Sequence, residues 1–371
     1  MTPTMVIVVK VGTSSITDAG GIISIDAIEK LCGEVAVLRR RGDHVVIVTS
    51  GAIAAGLPVL GLSFGGFGSR AADLATLQAV SAVGQSRLLR VYDDVLARHG
   101  LVGGQVLLAP LDFVHRKQYL HARQTLTRLL ELGVVPVVNE NDAIADDEIR
   151  FGDNDRLAGL VAHLVRADLL VLLTDTPGLL TADPRSSKEA SLIEEIVEVD
   201  HSIEALAGGA GTVRGSGGMA SKLAAAKMAA WSGVRAVIAS ADRPGVLVEA
   251  ADDLTGVGTV VRAHDRRLSA RKLWIAFAVG AGGTVVVDDG ARTALVERQT
   301  SLLPAGVVAV EGTFDADDAV EIAGTDGRVF AKGLVRHPAA RIKEWAGRRS
   351  AALPADMPHE VVHRDDLVML P

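Results

Sequence analysis

The sequence predicts an α/β protein: an open, mostly parallel sheet sandwiched by helices, followed by a small C-terminal β-barrel. Short runs of Val, Ile, Leu and Ala recur along about the first 260 residues, with helical patterns between them. Such runs are typical of parallel strands that are buried on both faces. After about residue 280 the pattern changes to short β-type runs separated by turn signals, which predicts the separate barrel.

Six apolar runs are predicted strands, and five amphipathic patterns are predicted helices. The strands cover residues 5–9, 45–48, 105–108, 134–138, 169–173 and 236–239, and the helices cover 26–41, 72–99, 116–132, 154–165 and 219–231. In the first helix, Ile28, Leu31, Val35 and Leu38 share one face, and Gly42 is placed to cap the C-terminus. Alternating strands and helices imply a parallel sheet covered by helices on both faces.

Composition changes define the predicted domain limits. Residues 1–262 form the α/β domain, a basic and polar stretch at 263–279 is the linker, 280–360 form the barrel, and 361–371 are a C-terminal tail. Turn signals such as Asp289-Gly290 and Asp326-Gly327 separate the short strands of the barrel.

Charge and cysteine content narrow the class of protein. The net charge is −7, which argues against a nucleic-acid-binding protein because such proteins are usually basic. Cys32 is the single cysteine, so no intramolecular disulfide forms, and we expect a buried structural thiol. We see no targeting segment, and the longest uncharged stretch, 45–69, contains many glycines and Pro58. We therefore expect a soluble, cytoplasmic protein without membrane contact.

Candidate site residues follow the predicted strands, because ligands bind beyond the carboxyl ends of open parallel sheets. Lys10 and Gly12 follow the first strand and suit an anionic oxygen, although a surface lysine before a turn is the structural alternative. Ser50-Gly51 offers backbone N–H groups to a carboxylate or phosphate, or is a simple N-cap. The polar run 139–142 suits a substrate ammonium group and carboxylate, or forms a polar turn.

Three further segments carry polar groups. The acids of 152–155 stand at the head of a helix, where they cap it, organise lysines or hold a hydrated Mg²⁺. The loop 174–185 suits a nucleotide base and ribose, or is an ordinary loop. Residues 215–222 combine glycines, hydroxyls and Lys222 at a helix N-terminus, which favours a phosphate cradle. This is not the P-loop pattern, and its match to the dinucleotide fingerprint is weak.

This set of residues favours phosphoryl transfer to a carboxylate. It contains two lysines and anion-binding loops but no candidate histidine base. A glutamate-like carboxylate, with a pKa near ~4.3, is already ionised at neutral pH and needs no base. The obstacle is electrostatic repulsion between this carboxylate and the γ-phosphate of ATP. Because lysines offset negative charge, we assign Lys10 and Lys222 to the transferring phosphoryl oxygens. The ten histidines are scattered, and we predict no zinc site and no direct protein ligands to a metal.

At these residues the chain resembles the amino acid kinase superfamily and, within it, the glutamate 5-kinase family. The similarity covers the whole chain, including a C-terminal PUA domain that matches the predicted barrel. The matching segments are 9–14, 48–56, 82–85, 139–142, 152–155, 174–185 and 217–222.

The resemblance implies transfer of the ATP γ-phosphate to the glutamate side chain, the first step of proline biosynthesis, with Mg²⁺ required and proline as feedback inhibitor. It implies a homo-oligomer, a dimer or tetramer. Asp155 would organise the two lysines, Lys10 and Lys222. Substrate contacts are implied at Ser50, Asp142 and Asn154, and we also assign Gly51, Asn139 and Asp153 to the substrate. ATP contacts are implied at Lys10, Thr174, Asp175, Ser216, Gly217, Gly218, Met219, Ala220, Ser221 and Lys222.

Three alternatives stay open at this point. The first is another superfamily member that acts on N-acetylglutamate, aspartate or a nucleoside monophosphate. The second is an RNA-binding or RNA-modifying protein, although the basic patch of the tail is modest, comprising Arg341, Lys343, Arg348 and Arg349. The third is a nicotinamide-linked oxidoreductase. The glycine-rich stretch 62–73 lies near the expected substrate site and leaves proline sensitivity and oligomer contacts open.

Overall fold

The chain divides into two compact units, Met1–Arg267 and Leu268–Pro371. The computed structural model describes residues 4–18, 21–62, 73–113, 115–144, 154–182, 189–208, 218–265, 267–354 and 357–370. The segment predicted as a linker contains helix α10 (Ala270–Leu273) and a π-helical turn (Trp274–Ala278), and the predicted tail contains strand β13 (Val362–Met369). The finer domain limits stay a prediction.

The first unit is built on an eight-stranded sheet. Its strands are β1 (Val6–Val11), β2 (His44–Thr49), β3 (Gly103–Leu108), β4 (Val135–Glu140), β5 (Leu169–Thr174), β6 (Glu195–Ile196), β7 (Arg235–Ser240) and β8 (Thr259–Val261). They lie in the order β3-β4-β2-β1-β5-β7-β8-β6, and every neighbouring pair is parallel except β7 with β8. This architecture confirms the predicted fold class.

Nine α-helices belong to the described part of this unit. They are α1 (Thr13–Ile16), α2 (Ile25–Arg40), α3 (Ala52–Gly56), α4 (Leu74–Arg98), α5 (Arg116–Glu131), α6 (Asn154–Val165), α7 (His201–Ala207), α8 (Met219–Trp231) and α9 (Val246–Ala251). The Ser24 side chain accepts the backbone N–H of Ala27 at the start of α2, and Gly42 lies just beyond its end with φ +95°. The left-handed conformation of Gly42 fits its predicted capping role.

Helices cover both faces of the sheet. Alternate residues of β1 and β5, such as Ile7, Val9 and Val171, join a buried core with α2, α4 and α9. Because side chains alternate across a strand, Val8 and Lys10 point to the opposite face, where α6 packs on β1 and α8 packs on β7. Lys10 is therefore directed toward the N-terminal turns of α6 and α8.

Cys32 lies fully buried in α2. Burial, with a smaller contribution from nearby Glu29, raises the pKa of its thiol to about 12, so the group stays protonated and inert. No helix in the portion of the chain covered by the structure combines the length and apolarity needed to cross a bilayer.

The second unit is built on a five-stranded sheet. Its strands are β9 (Gly283–Val287), β10 (Val307–Gly312), β11 (Ala319–Gly324), β12 (Val329–Val335) and β13, in the order β10-β9-β11-β12-β13. Neighbours are antiparallel except β9 with β11. Two helices that the sequence analysis did not predict, α11 (Asp289–Arg298) and α12 (Ala339–Trp345), contribute Leu295 and Ile342 to its core.

Candidate active site

A cavity of about 580 Å³ opens at the carboxyl ends of the central strands of the first unit. Its walls come from the loops after β1, β2, β4 and β5 and from the first turns of α6 and α8. Most of the predicted site residues that the structure describes line it, namely Lys10, Ser50, Gly51, Asn139, Asp142, Asn154, Thr174, Asp175, Gly218, Met219 and Lys222.

Two lysines from distant parts of the chain meet on one carboxylate beside this cavity. Lys10 Nζ lies 2.6 Å from Asp155 Oδ1, and Lys222 Nζ lies 3.1 Å from Asp155 Oδ2. Ser221 Oγ also donates a hydrogen bond to Asp155 Oδ2, at 2.9 Å. Asp155 is fully buried, and Lys10 and Lys222 are 2% and 5% exposed. A buried pair of cations with one anion carries a net charge of +1, which attracts an anionic ligand.

Helix N-termini add to this positive potential. Asp155 stands in the first turn of α6, and Lys222 stands in the first turn of α8. Gly218, the N-cap of α8, is a glycine and has no side chain to accept a backbone N–H of the first turn. Unpaired N–H groups at a helix start bind phosphate oxygens, so this end of α8 suits a phosphate group.

The opposite wall is organised by buried side-chain amides. Asn154 Nδ2 donates to Thr49 O (2.5 Å) and to Asn139 Oδ1 (2.7 Å). Asn139 Nδ2 in turn donates to Gln85 Oε1 at 3.1 Å, and Gln85 Nε2 donates to Glu140 O at 3.1 Å. These contacts connect α4, β4, β2 and α6 through polar groups that are each nine-tenths or more buried.

Asp142 supplies a carboxylate to the same wall. Burial raises the pKa of Asp142 above its ordinary value, and the hydrogen bond from Ser81 Oγ opposes that rise. A partly desolvated carboxylate gains strongly from a cationic partner, because the partner restores the lost solvation. Asp142 therefore suits a substrate ammonium group.

The end of β2, directly before Ser50, is hydrogen-bonded to Tyr92 of α4. Thr49 Oγ1 donates to Ser50 O and lies 2.8 Å from the Tyr92 hydroxyl. Because the single hydroxyl hydrogen of Thr49 is used by Ser50, Tyr92 must donate to Thr49 Oγ1. Burial raises the pKa of Tyr92, so its hydroxyl keeps the proton that this bond needs.

Close helix packing fixes the turn that follows. Gly51 has φ +95° at the N-cap of α3, a conformation that favours glycine. Helix α3 then packs against α4 without side chains between the backbones. A Cβ atom at Gly84 would lie 1.7 Å from Ala52 O, and one at Gly56 would lie 2.1 Å from Val80 O. The position of Gly51 and Ala52 in the cavity wall thus depends on these two glycines.

The structure describes part of the nucleotide-binding wall that the sequence predicts. Thr174 ends β5, its Oγ1 donates to the exposed Asp175 at 3.1 Å, and both line the cavity with Met219. Ala220 lies exposed on α8. Predicted residues outside the described part of the chain are Asp153, Ser216 and Gly217, together with segment 183–185 of the nucleotide loop and 63–72 of the glycine-rich stretch.

Several residues of the site were not identified from the sequence. Thr49 and Gln85 stood in matching segments without an assigned role, and Ser81 and Tyr92 were not singled out. Their partners are 43 to 61 residues away in sequence, so no local pattern indicates the contacts. The spacing of Ser81, Gln85 and Tyr92 on one face of α4 is the available signal.

Among the described residues, no group of three or more His, Cys, Asp or Glu side chains is arranged to hold a metal ion.

Comparisons with known proteins identify the family of the chain. The amino acid kinase family model matches residues 5–240, and the PUA domain model matches 283–355. The chain is 48% identical over 370 residues to the glutamate 5-kinase of Frankia casuarinae, covering 98% of this chain and 96% of that protein. It is 42% identical over 370 residues to the glutamate 5-kinase of Pelobacter propionicus, with coverages of 98% and 97%.

A solved structure shares the fold of the first unit. The carbamate kinase from Giardia lamblia bound to AMP-PNP matches with a TM-score of 0.50 and 15% identity, over 71% of this chain and 100% of that one. The family resemblance predicted from the motifs is confirmed. The chain therefore belongs to the amino acid kinase family, is a kinase with a C-terminal PUA domain, and falls among the glutamate 5-kinases of that family.

Proposed function

We propose that this chain transfers the γ-phosphoryl group of ATP to the side-chain carboxylate of L-glutamate, giving L-glutamyl 5-phosphate for proline biosynthesis. The observation that carries the proposal is the pair of buried lysines, Lys10 and Lys222, held on Asp155 beside the cavity. The names of the relatives, which are glutamate 5-kinases, support the choice of substrate.

The chemistry requires two anions to approach each other. A carboxylate oxygen of glutamate attacks the γ-phosphorus, the bond from that phosphorus to the bridging oxygen breaks, and ADP leaves. The two ammonium groups offset the negative charge on the γ-phosphoryl oxygens, and Asp155 keeps both lysines in place while the cluster retains a net charge of +1. No base is needed, because the acceptor carboxylate is already ionised at neutral pH.

The two substrates are assigned to opposite walls. ATP takes the side of Thr174, Asp175 and the start of α8, with residues 216–222 around its phosphates. Glutamate takes the side of Ser50, Gly51 and Asp142, with Asn139, Asp153 and Asn154 completing its site. The cavity volume of about 580 Å³ suits a small amino acid with the phosphate end of a nucleotide.

Mg²⁺ fits this site as a companion of ATP. Both oxygens of Asp155, the buried carboxylate nearest the lysines, contact ammonium groups, so Asp155 is not disposed to ligate a cation. The ion would be held by phosphate oxygens and water, with the cavity carboxylates Asp142 and Asp175 nearby. When bound, it neutralises charge on the phosphates.

A parallel turnover assay tests the proposal. Purified protein, ATP and Mg²⁺ are combined with L-glutamate, N-acetyl-L-glutamate, L-aspartate or UMP, and the product is trapped with hydroxylamine. We expect ADP release and a hydroxamate with L-glutamate at a rate at least tenfold above the other three. Faster turnover of another acceptor, or ADP release without hydroxamate, contradicts the proposal.

We propose a cytoplasmic homo-oligomer, a dimer or tetramer, that is inhibited by proline. Light scattering of the purified protein and glutamate titrations at fixed proline concentrations test these two points.

RNA binding by the C-terminal unit is not part of the proposed function. Arg341 of the basic patch packs its guanidinium over the Trp345 ring at 5.4 Å. Filter binding of RNA at two salt concentrations tests whether the C-terminal unit binds RNA, because binding to RNA phosphates falls steeply with salt.

A further inference from the structure

We infer that Gln85 is a positioning residue for substrate recognition. It holds Asn139 so that Asn154 presents its carbonyl oxygen to the ammonium group of the substrate. The inference rests on the proposed function, since it names how that substrate is selected. Gln85 does not itself line the cavity, and it acts through the two asparagines that do.

Backbone groups fix the orientation of all three amides. Glu140 N–H can only donate, and it lies 2.9 Å from Asn139 Oδ1, so this atom must be the oxygen. Asn139 Nδ2 then faces Gln85 Oε1 at 3.1 Å. At the other end, Glu140 O can only accept, so the Gln85 atom 3.1 Å away must be the amide nitrogen. Gln85 therefore accepts a hydrogen bond from the Asn139 side chain and donates one to the Glu140 carbonyl, and the flipped amide is excluded.

The same donor and acceptor assignments fix the orientation of the Asn154 amide. Its nitrogen donates to Thr49 O, which can only accept, and to Asn139 Oδ1, whose role is already fixed. Both N–H bonds of the Asn154 amide are used. Among the described residues, no protein group donates to Asn154 Oδ1, although Asn154 is only 4% exposed at the cavity wall.

The remaining oxygen selects for a hydrogen-bond donor. A ligand that fills the cavity excludes water from the Asn154 oxygen, so a ligand that donates a hydrogen bond to this oxygen is favoured over one that leaves it unpaired. Asp142, a carboxylate on the same wall, adds a preference for positive charge. An amino acid with a free ammonium group meets both requirements, whereas glutarate, which has the same two carboxylates but no ammonium group, meets neither.

The test variant is Gln85→Met, which keeps side-chain length and removes both hydrogen bonds of the amide. We expect the KM for L-glutamate to rise about tenfold, the effect of one buried hydrogen bond, while the KM for ATP changes less than about twofold. The inhibition constant of glutarate, measured as a competitor of L-glutamate, should stay within about twofold, because glutarate makes no use of the Asn154 oxygen.

Two further variants make the result specific. Gln85→Glu keeps the acceptor for Asn139 and loses the donor to Glu140, so its KM for L-glutamate should fall between wild type and Gln85→Met. Gln105→Met, an exposed change on β3, should leave every constant unchanged. A thermal melt with and without ATP establishes that each variant is folded, and Gln85→Glu carries the test if Gln85→Met does not fold.

Two outcomes overturn the inference. One is a folded variant whose KM for L-glutamate is unchanged. The other is a parallel rise in the KM for L-glutamate and the inhibition constant of glutarate, which indicates general damage to the wall. Failure of the proposed function is distinguishable, because then the wild-type protein itself forms no hydroxamate from L-glutamate.

Discussion

The ammonium nitrogen of Lys10 lies 2.6 Å from the carboxylate of Asp155, on a strand whose other residues are all apolar. Lys10 is 2% exposed and Asp155 is fully buried. Together with Lys222, this contact joins β1, α6 and α8 at the carboxyl end of the central strands.

Removal of one cation should slow phosphoryl transfer. In Lys222→Ala, we expect turnover to fall roughly 10²–10³-fold, because one ammonium group facing the transferring phosphoryl oxygens is lost. Steady-state kinetics of ADP release measures the change. Lys227→Ala is the matched control, since Lys227 lies on the same helix and pairs with Glu204 away from the cavity. Near-normal turnover in folded Lys222→Ala would refute the assigned role.

Removal of the anion should destabilise the fold. Asp155→Asn leaves two buried ammonium groups without a counter-charge, and we expect the free energy of unfolding to fall by about 3–5 kcal/mol. Urea unfolding followed by circular dichroism measures the loss. Adding Lys10→Met to Asp155→Asn returns the buried charge from +2 to the wild-type +1, so the double variant should regain part of the stability. A single variant as stable as wild type would show that the cluster is solvated.

Two helical glycines should respond oppositely to alanine. At Gly84 the added Cβ would lie 1.7 Å from Ala52 O, so Gly84→Ala must separate α3 from α4 and should destabilise by at least about 1–3 kcal/mol. At Gly33, within α2, the nearest atom is His99 Cε1 at 3.9 Å, so Gly33→Ala should stabilise by about 0.5–1 kcal/mol. Thermal unfolding of both variants checks the difference in sign. Loss of glutamate binding should accompany only the change at Gly84.

The pH dependence of glutamate binding should report on Asp142. Burial raises its pKa above the ordinary aspartate value of about 3.9, so the acid limb of kcat/KM for L-glutamate should contain the ionisation of Asp142 in addition to that of the substrate side chain near about 4.3. Binding falls with decreasing pH because only the ionised form pairs with the ammonium group. Ser81→Ala removes a bond that favours ionisation and should move the limb to higher pH. Ser86→Ala, an exposed serine on the same helix, should leave the limb in place, and an unmoved limb in Ser81→Ala would count against the pairing.

Much of the central fold was predictable because burial of a parallel sheet constrains composition strongly. The bounds of α6 and α8 agree with the predicted helices, and the six long strands agree within a few residues. The misses are short elements with weak signals. Strand β6 has two residues and β8 has three, too few to establish a period. Helices α11 and α12 were obscured by the β-type runs on either side of them.

The site was predictable where chemistry follows a strand end. Lys10, Ser50 and Asn139 each stand at such a position, and the structure brings them to one cavity. Gln85 was not predictable in the same way, because its contacts with Asn139 and Glu140 span 54 and 55 residues. Long-range contacts of this kind depend on how α4 crosses the sheet, which periodicity does not specify.

The buried amides of Gln85, Asn139 and Asn154 have one further consequence. A carboxamide neither gains nor loses a proton under physiological conditions. The frame that orients the amino acid should therefore keep the same shape in acidified and alkaline cells, and acid should act on this wall through Asp142, the carboxylate that lines the cavity beside Asn139 and Asn154.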